Sequence, residues 1–117
     1  TPLMAAAGLG TRSPGEDAGT EPECIEAVET LLAMGADLDA VDDKGETAMH
    51  GAAYKNYPAV VRLLARRGAK REVWDKPNKQ GWTPLRIAEG YRFGNYKPSP
   101  DTMAAFHEIM GIQKGSE

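Results

Sequence analysis

The chain has one thiol, Cys24, and two imidazoles, His50 and His107, which are side chains suited to nucleophilic and acid–base chemistry. A thiol beside an imidazole forms the catalytic dyad of several enzyme classes. Each of the three residues lies in a different helical stretch, so the sequence predicts no such dyad. Cys24 is the only cysteine, which excludes an internal disulfide and a cysteine-rich metal cluster.

An acidic stretch at 37–46 has the composition of a calcium-binding loop. Such a loop needs oxygen ligands at alternate positions and a glycine at the sixth. Counted from Asp37, the fifth position is Val41 and the glycine, Gly45, comes too late. The sequence also lacks a glycine-rich phosphate loop, a His-Glu-x-x-His motif and a nucleophile elbow. It therefore predicts no catalytic site, no metal site and no cofactor.

A four-residue motif occurs three times and marks the helical elements that carry these side chains. It begins at Thr1, Thr47 and Thr83 and reads Thr-Pro-Leu-Met, Thr-Ala-Met-His and Thr-Pro-Leu-Arg. After each of the first two motifs, a second apolar stretch ends in Leu-Leu and then Gly-Ala, at 31–36 and 63–69. The pattern resembles the ankyrin repeat, which has a period of about 33 residues and a Thr-Pro-Leu-His signature. The resemblance covers nearly the whole chain and implies an all-α solenoid of three helix-turn-helix repeats with hairpin fingers between them.

The three repeats form one predicted domain over 1–117. Their boundaries fall at about 1–46, 47–82 and 83–112. The middle repeat is the compact reference, and the other two carry insertions between their helices. These insertions are expected at about 9–22 and 91–98.

Caps and apolar spacing predict where several helices begin and end. Thr20 with Glu23 forms a capping-box pattern, and Ser99-Pro100 predicts the start of the last helix. The apolar residues of 60–64 recur at helical spacing, and Gly68 predicts a left-handed stop after them.

These elements suggest structural roles for the three reactive side chains. Cys24 opens a helix, where a buried small side chain is predicted; the alternative is a thiol whose pKa the helix dipole lowers. His50 occupies the histidine position of the repeat, and the resemblance implies that its imidazole binds neighbouring backbone. His107 lies on an apolar stripe and is expected in the core or at the terminal cap.

The net charge of −3 is unevenly distributed. Residues 1–58 contain 11 acidic and 3 basic side chains, whereas residues 59–117 contain 6 acidic and 11 basic ones. In a solenoid, sequence order is spatial order, so a gradient along the long axis is expected. It could reflect drift on solvated faces, steering of an elongated partner, or end-to-end self-association of copies.

Nucleic acid and membrane are not predicted partners. The basic residues of 66–71 follow one helix, but the sequence pI of 5.4 argues against nonspecific phosphate binding. No apolar run approaches the roughly 18 residues of a membrane span.

The ankyrin resemblance implies a non-enzymatic protein–protein interaction module whose hairpin tips and inner helices form a concave surface. The candidate contact residues on this chain are Asp43, Lys44, Glu46, Tyr54, Lys55, Trp74, Lys76, Asn78, Lys79, Gln80 and Trp82. The second finger is three residues longer than the first, and the extra length is expected at its tip, Lys76–Lys79. Trp74 and Trp82 bracket it, as an interface hot spot or as a pair packed across their own hairpin.

Several alternatives stay open. The insertion residues Tyr91, Phe93 and Tyr96 could form an ordered loop over the last repeat or a ligand platform. The chain begins inside a repeat at Thr1, which suggests the end of a longer array or a non-catalytic accessory domain of a larger exported enzyme or assembly. The long loops resemble those of bacterial ankyrin proteins, many of them exported, so a periplasmic or a cytoplasmic location is possible.

Overall fold

The computed structural model describes Leu3, residues 20–91 and residues 98–111. All regular secondary structure in this part of the chain is helical, which confirms the predicted all-α class. The helices are α1 (Glu21–Ala33), α2 (Ala48–Lys55), α3 (Pro58–Arg66), α4 (Arg71–Trp74), α5 (Pro84–Ala88) and α6 (Pro100–Ile109). Most of the first predicted helix, insertion residues 9–19 and 92–97, and the tail from 112 lie outside the described residues.

The caps predicted from the sequence are confirmed. The Thr20 hydroxyl accepts a hydrogen bond from the Glu23 amide at 3.4 Å, and a Glu23 carboxylate oxygen accepts one from the Thr20 amide at 2.8 Å. At α6, the Ser99 hydroxyl accepts from the Thr102 amide at 3.4 Å. These bonds satisfy amide groups that have no partner within the helix.

The helices stack in two layers. In the inner layer, α2 packs against α5; in the outer layer, α3 packs between α1 and α6. Between α2 and α3 the chain turns through Asn56, which adopts the left-handed conformation at φ +58°. The small side chains of Ala52 and Ala53 are fully buried, so the neighbouring helices can approach closely. The core between the layers is contributed mainly by Val28, Val60, Val61, Leu63, Leu64, Ile87 and Phe106.

Two fingers project from the stack. The first finger is residues 37–46 and the second is residues 70–82. Each tip is a tight turn closed by two backbone bonds. In the first, the Asp42 amide donates to the Glu46 carbonyl at 3.0 Å and the Gly45 amide donates to the Asp42 carbonyl at 3.1 Å. In the second, the Asn78 amide donates to the Trp82 carbonyl and the Gly81 amide donates to the Asn78 carbonyl, each at 2.9 Å. Neither described finger contains a β-strand, so the hairpins expected from the family pattern are reduced to turns.

The extra length of the second finger lies before its tip, which corrects the sequence-based placement at Lys76–Lys79. Asn78 and Gly81 stand five and two residues before Thr83, just as Asp42 and Gly45 stand before Thr47. The added residues are accommodated upstream by the short helix α4. This helical turn directs Trp74 into the core, where its ring centroid lies 5.8 Å from that of Phe106.

Candidate protein-binding surface

The two finger tips are built in the same way. In the first, Asp42 Oδ1 accepts from the Lys44 amide at 2.9 Å and from the Glu46 amide at 2.8 Å. In the second, Asn78 Oδ1 accepts from the amides of Gln80 and Trp82 at 3.0 and 3.1 Å. Short Asp and Asn side chains favour turns because they reach backbone amides two or more residues ahead.

The tips are joined to each other by backbone contacts. The Lys79 amide donates to the Lys44 carbonyl at 3.0 Å. Gly45 lies against the second finger so closely that a Cβ atom there would be 3.3 Å from the Cα of Asn78. The two tips therefore form one continuous surface, which we call the joined finger tips (residues 42–46 and 76–82).

A buried polar cluster ties the joined finger tips to α2. Glu46 Oε2 accepts from the Tyr54 hydroxyl and from the Asn78 side-chain amide, each at 2.9 Å, and that amide lies 3.2 Å from the Tyr54 hydroxyl. Glu46 is 4% exposed and Asn78 is 6% exposed. Buried polar groups of this kind are costly unless they are hydrogen-bonded, so the cluster fixes one relative position of the three elements.

His50 makes a second connection between the middle repeat and the second finger. Its Nδ1 accepts from the Thr47 amide at 3.0 Å, and its Nε2 donates to the Lys76 carbonyl at 3.1 Å. Burial lowers the pKa of His50. The Lys76 carbonyl and the carboxylates of Glu46 and Asp42 raise this pKa by a smaller amount, so the net shift is downward. The backbone-binding role expected of this imidazole is confirmed.

The other reactive side chains are not assembled into a site. Cys24 is 3% exposed inside α1, as the prediction of a buried small side chain required. His107 lies half-buried on α6. Within the residues that the structure describes, no group of three His, Cys, Asp or Glu side chains could hold a metal ion.

The eleven predicted contact residues separate by exposure. Five are exposed: Asp43, Lys44, Lys76, Lys79 and Gln80. Three are half-buried: Tyr54, Lys55 and Trp82. The remaining three, Glu46, Trp74 and Asn78, are buried.

The three buried residues correct the sequence-based surface. Glu46 and Asn78 face each other and Tyr54, and the three side chains are joined by hydrogen bonds inside the protein. Trp74 is 3% exposed, because α4 turns its ring into the core beside Phe106. Of the two alternatives left open for the tryptophans, an exposed hot spot formed by both is therefore wrong, because Trp74 is buried.

Asp42 and Arg86 make contacts that the sequence analysis did not predict. Asp42 shapes the first tip, and its signal was its position five residues before Thr47, which matches that of Asn78 before Thr83. Arg86 is exposed on α5, and its guanidinium carbon lies 5.3 Å from the ring centroid of Tyr91. The Arg86–Tyr91 stack had no local pattern that could predict it.

Comparison with known proteins identifies the repeat. The family model described as ankyrin repeats (3 copies) matches residues 18–97. Inversin of Gallus gallus is 38% identical over 69 residues, which are 58% of this chain and 6% of inversin. The E3 ubiquitin-protein ligase KEG of Arabidopsis thaliana is 36% identical over 67 residues, 57% of this chain and 4% of the ligase. The putative ankyrin repeat protein FPV219 of Fowlpox virus (strain NVSL) is 40% identical over 70 residues, 60% of this chain and 15% of that protein.

The matched relatives are much longer, since the chain spans 15% or less of each of these three. Ankyrin repeats generally bind other proteins and are generally non-catalytic. None of the helices in the described part of the chain is both long and apolar enough to cross a membrane. On the match to residues 18–97 and the two-layered stack of helix pairs, the chain belongs to the ankyrin repeat family.

Proposed function

We propose that this chain is a non-enzymatic protein-binding module whose contact surface is the joined finger tips and the adjoining end of α2. The exposed side chains of that surface are Asp43, Lys44, Lys76, Lys79 and Gln80, flanked by the half-buried Tyr54, Lys55 and Trp82. The partner is another protein. Its side chains would contact the outward faces of both tips at once.

The bond from the Lys79 amide to the Lys44 carbonyl is the main support for this proposal. It holds the two tips as one body, and the contact between Asn78 and Glu46 anchors that body to the helices. Because the backbone is already ordered, a partner would bind with less loss of conformational entropy than a flexible loop requires. Backbone groups and buried side chains hold the two tips together, so the exposed side chains remain available for contacts with a partner.

Photo-crosslinking tests the proposed surface. A photoreactive amino acid would replace Gln80 at the second tip and, as a matched control, Arg66 at the exposed end of α3. After irradiation in an extract of the source cells, we expect a protein adduct at position 80 and none at position 66. Thermal melts would verify that both variants are folded. The same adduct at both positions, or an adduct at 66 alone, would contradict the proposed surface.

A role as a non-catalytic accessory domain of a larger enzyme or assembly is the second candidate. It is supported by the match to a short part of an E3 ubiquitin-protein ligase. The flanking coding sequence distinguishes the two cases. A catalytic domain in the same reading frame would favour the accessory role, whereas further ankyrin repeats would favour a free-standing binding protein.

A further inference from the structure

An apolar groove lies where α1 ends and the first finger begins. Its described lining includes Leu3, Leu31, Met34 and Ala36, and its volume is about 300 Å³. Met34 is 76% exposed, more than any other large apolar side chain in the described part of the chain. One water molecule needs roughly 15 Å³ of such space, so the groove has room for an apolar side chain of a ligand.

The middle repeat contains a counterpart of this groove. Met49, Leu64 and Ala69 stand in the middle repeat where Leu3, Leu31 and Ala36 stand in the first. The backbone agrees as well, because the Ala36 amide donates to the Leu31 carbonyl and the Ala69 amide to the Leu64 carbonyl, each at 3.0 Å. The ends of α1 and α3 therefore have the same local geometry.

The first finger fills this counterpart. Leu38 and Asp39 lie beside Met49 and Leu64, and the space left among these residues is too small for a water molecule. Leu38 packs against the hydrophobic core. Asp39 Oδ1 accepts a hydrogen bond from the Lys70 amide at 2.8 Å. A leucine followed by an aspartate thus covers the end of the middle repeat.

The first repeat presents the equivalent hydrogen-bond donor without an acceptor. Asp37 and Lys70 are each the second residue after a left-handed glycine, with φ of +91° at Gly35 and +99° at Gly68. Within the described ranges, the Asp37 amide has no hydrogen-bond partner. The first repeat therefore offers both parts of the site that holds the leucine and aspartate of the first finger: an apolar floor and a backbone amide.

We propose that this groove binds a segment of a partner protein in which a leucine directly precedes an aspartate. The leucine packs on Leu3 and Leu31 and covers Met34, and the aspartate accepts a hydrogen bond from the Asp37 amide. The pair of residues is thereby held as Leu38-Asp39 is held on the middle repeat. The groove lies outside the joined finger tips, so it is a second contact surface whose test does not depend on the first.

A peptide copied from the chain itself tests the groove. The probe is a capped hexapeptide with the sequence of residues 36–41, Ala-Asp-Leu-Asp-Ala-Val, titrated into the isotope-labelled chain and followed by NMR. We expect saturable shifts at the Asp37 amide and none at the Lys70 amide, which already has its acceptor. Probes with Ala in place of the leucine, or of the aspartate after it, lose apolar burial or a hydrogen bond. They should bind at least about fivefold more weakly.

Two matched variants locate the binding. Met34→Glu places a carboxylate on the groove, whereas Ala33→Glu places one on the neighbouring exposed residue, which does not line it. Met34→Glu should weaken binding at least about fivefold, because the peptide would cover a charged group. Ala33→Glu should stay within about twofold of the parent, since its carboxylate remains in water. Thermal melts verify that both variants are folded.

The absence of saturable shifts at Asp37, or equal weakening in both variants, would overturn the inference. Shifts at Lys70 instead of Asp37 would also contradict it, because the peptide would then displace the first finger rather than fill the groove. Sedimentation of the unliganded chain tests another occupant, since a dimer that Met34→Glu dissociates would assign the groove to a second copy. A leucine–aspartate finger encoded directly before Thr1 would place the occupant in the same polypeptide and refute a separate partner.

Discussion

The imidazole of His50 joins the first turn of α2 to the second finger through two hydrogen bonds that require a neutral ring. The Thr47 amide can only donate, so Nδ1 must be unprotonated, and the Lys76 carbonyl can only accept, so the proton lies on Nε2. A second proton would place an N–H of the ring against the Thr47 N–H. Burial opposes the charged ring as well, and for this reason the pKa of His50 lies below its ordinary value.

Acid should therefore destabilise the fold through His50. In the unfolded chain this residue takes up a proton near pH 6.5, whereas in the folded chain it does so only at lower pH, so stability falls as the pH drops below about 6.5. The loss is at most about 1.4 kcal/mol per pH unit until the folded pKa is reached. Urea unfolding at about pH 7.5 and about pH 5.5 measures it.

His50→Gln is the control for this pH dependence. It removes the titrating group and should reduce the difference between the two pH values, even though the variant is less stable at both. An equal acid-induced loss in the parent and in His50→Gln would assign the effect to another group.

At the scale of the elements, the caps and the apolar stripe of α3 could be predicted from the sequence because each depends on neighbouring residues. Thr20 and Glu23 are three residues apart, and the stripe repeats at helical spacing. The helix α4 has only four residues, too few for periodicity to indicate it. The burial of Trp74 depends on Phe106, which is distant in sequence, so Trp74 was misplaced on the binding surface.

The positions of the finger tips could be predicted from the sequence, but the contact between the two tips could not. Gly45 and Gly81 both mark left-handed turns, with φ of +76° and +85°. Only the structure shows that the first tip lies against the backbone of the second. The same tertiary contact buries Asn78 and Glu46, two polar residues that a sequence pattern assigns to the surface.

Gly45→Ala should destabilise the protein more than Gly81→Ala. Both substitutions place a Cβ on a left-handed residue, which costs about 1–2 kcal/mol. At Gly45, the new Cβ would also lie 3.3 Å from the Cα of Asn78, whereas at Gly81 nothing lies within 4 Å. We expect a further loss of about 1 kcal/mol at Gly45 from this crowding. Urea unfolding of the two variants measures the difference, and equal stabilities would show that the tips are not packed together.

At the scale of the whole molecule, α3 connects the three repeats. It packs against α1 of the first repeat, α2 of the middle repeat and α6 of the last. Its apolar stripe includes Leu63 and Leu64, which are 2% and 1% exposed. In a repeat array, stability is largely the sum of contacts between neighbours, so a single residue at this centre affects all three repeats.

Leu63→Ala should accordingly cost roughly 2–5 kcal/mol, because it opens a cavity between the repeats. Lys79→Ala should change the free energy of unfolding by less than about 0.5 kcal/mol, since its side chain is exposed and its bond to Lys44 uses the backbone amide. Thermal and urea unfolding of both variants provide the comparison. If Lys79→Ala were the more destabilising change, the placement of Leu63 in the core and of the Lys79 side chain at an exposed tip would be wrong. A stable Leu63→Ala variant would contradict the packing of α3 at the centre of the stack.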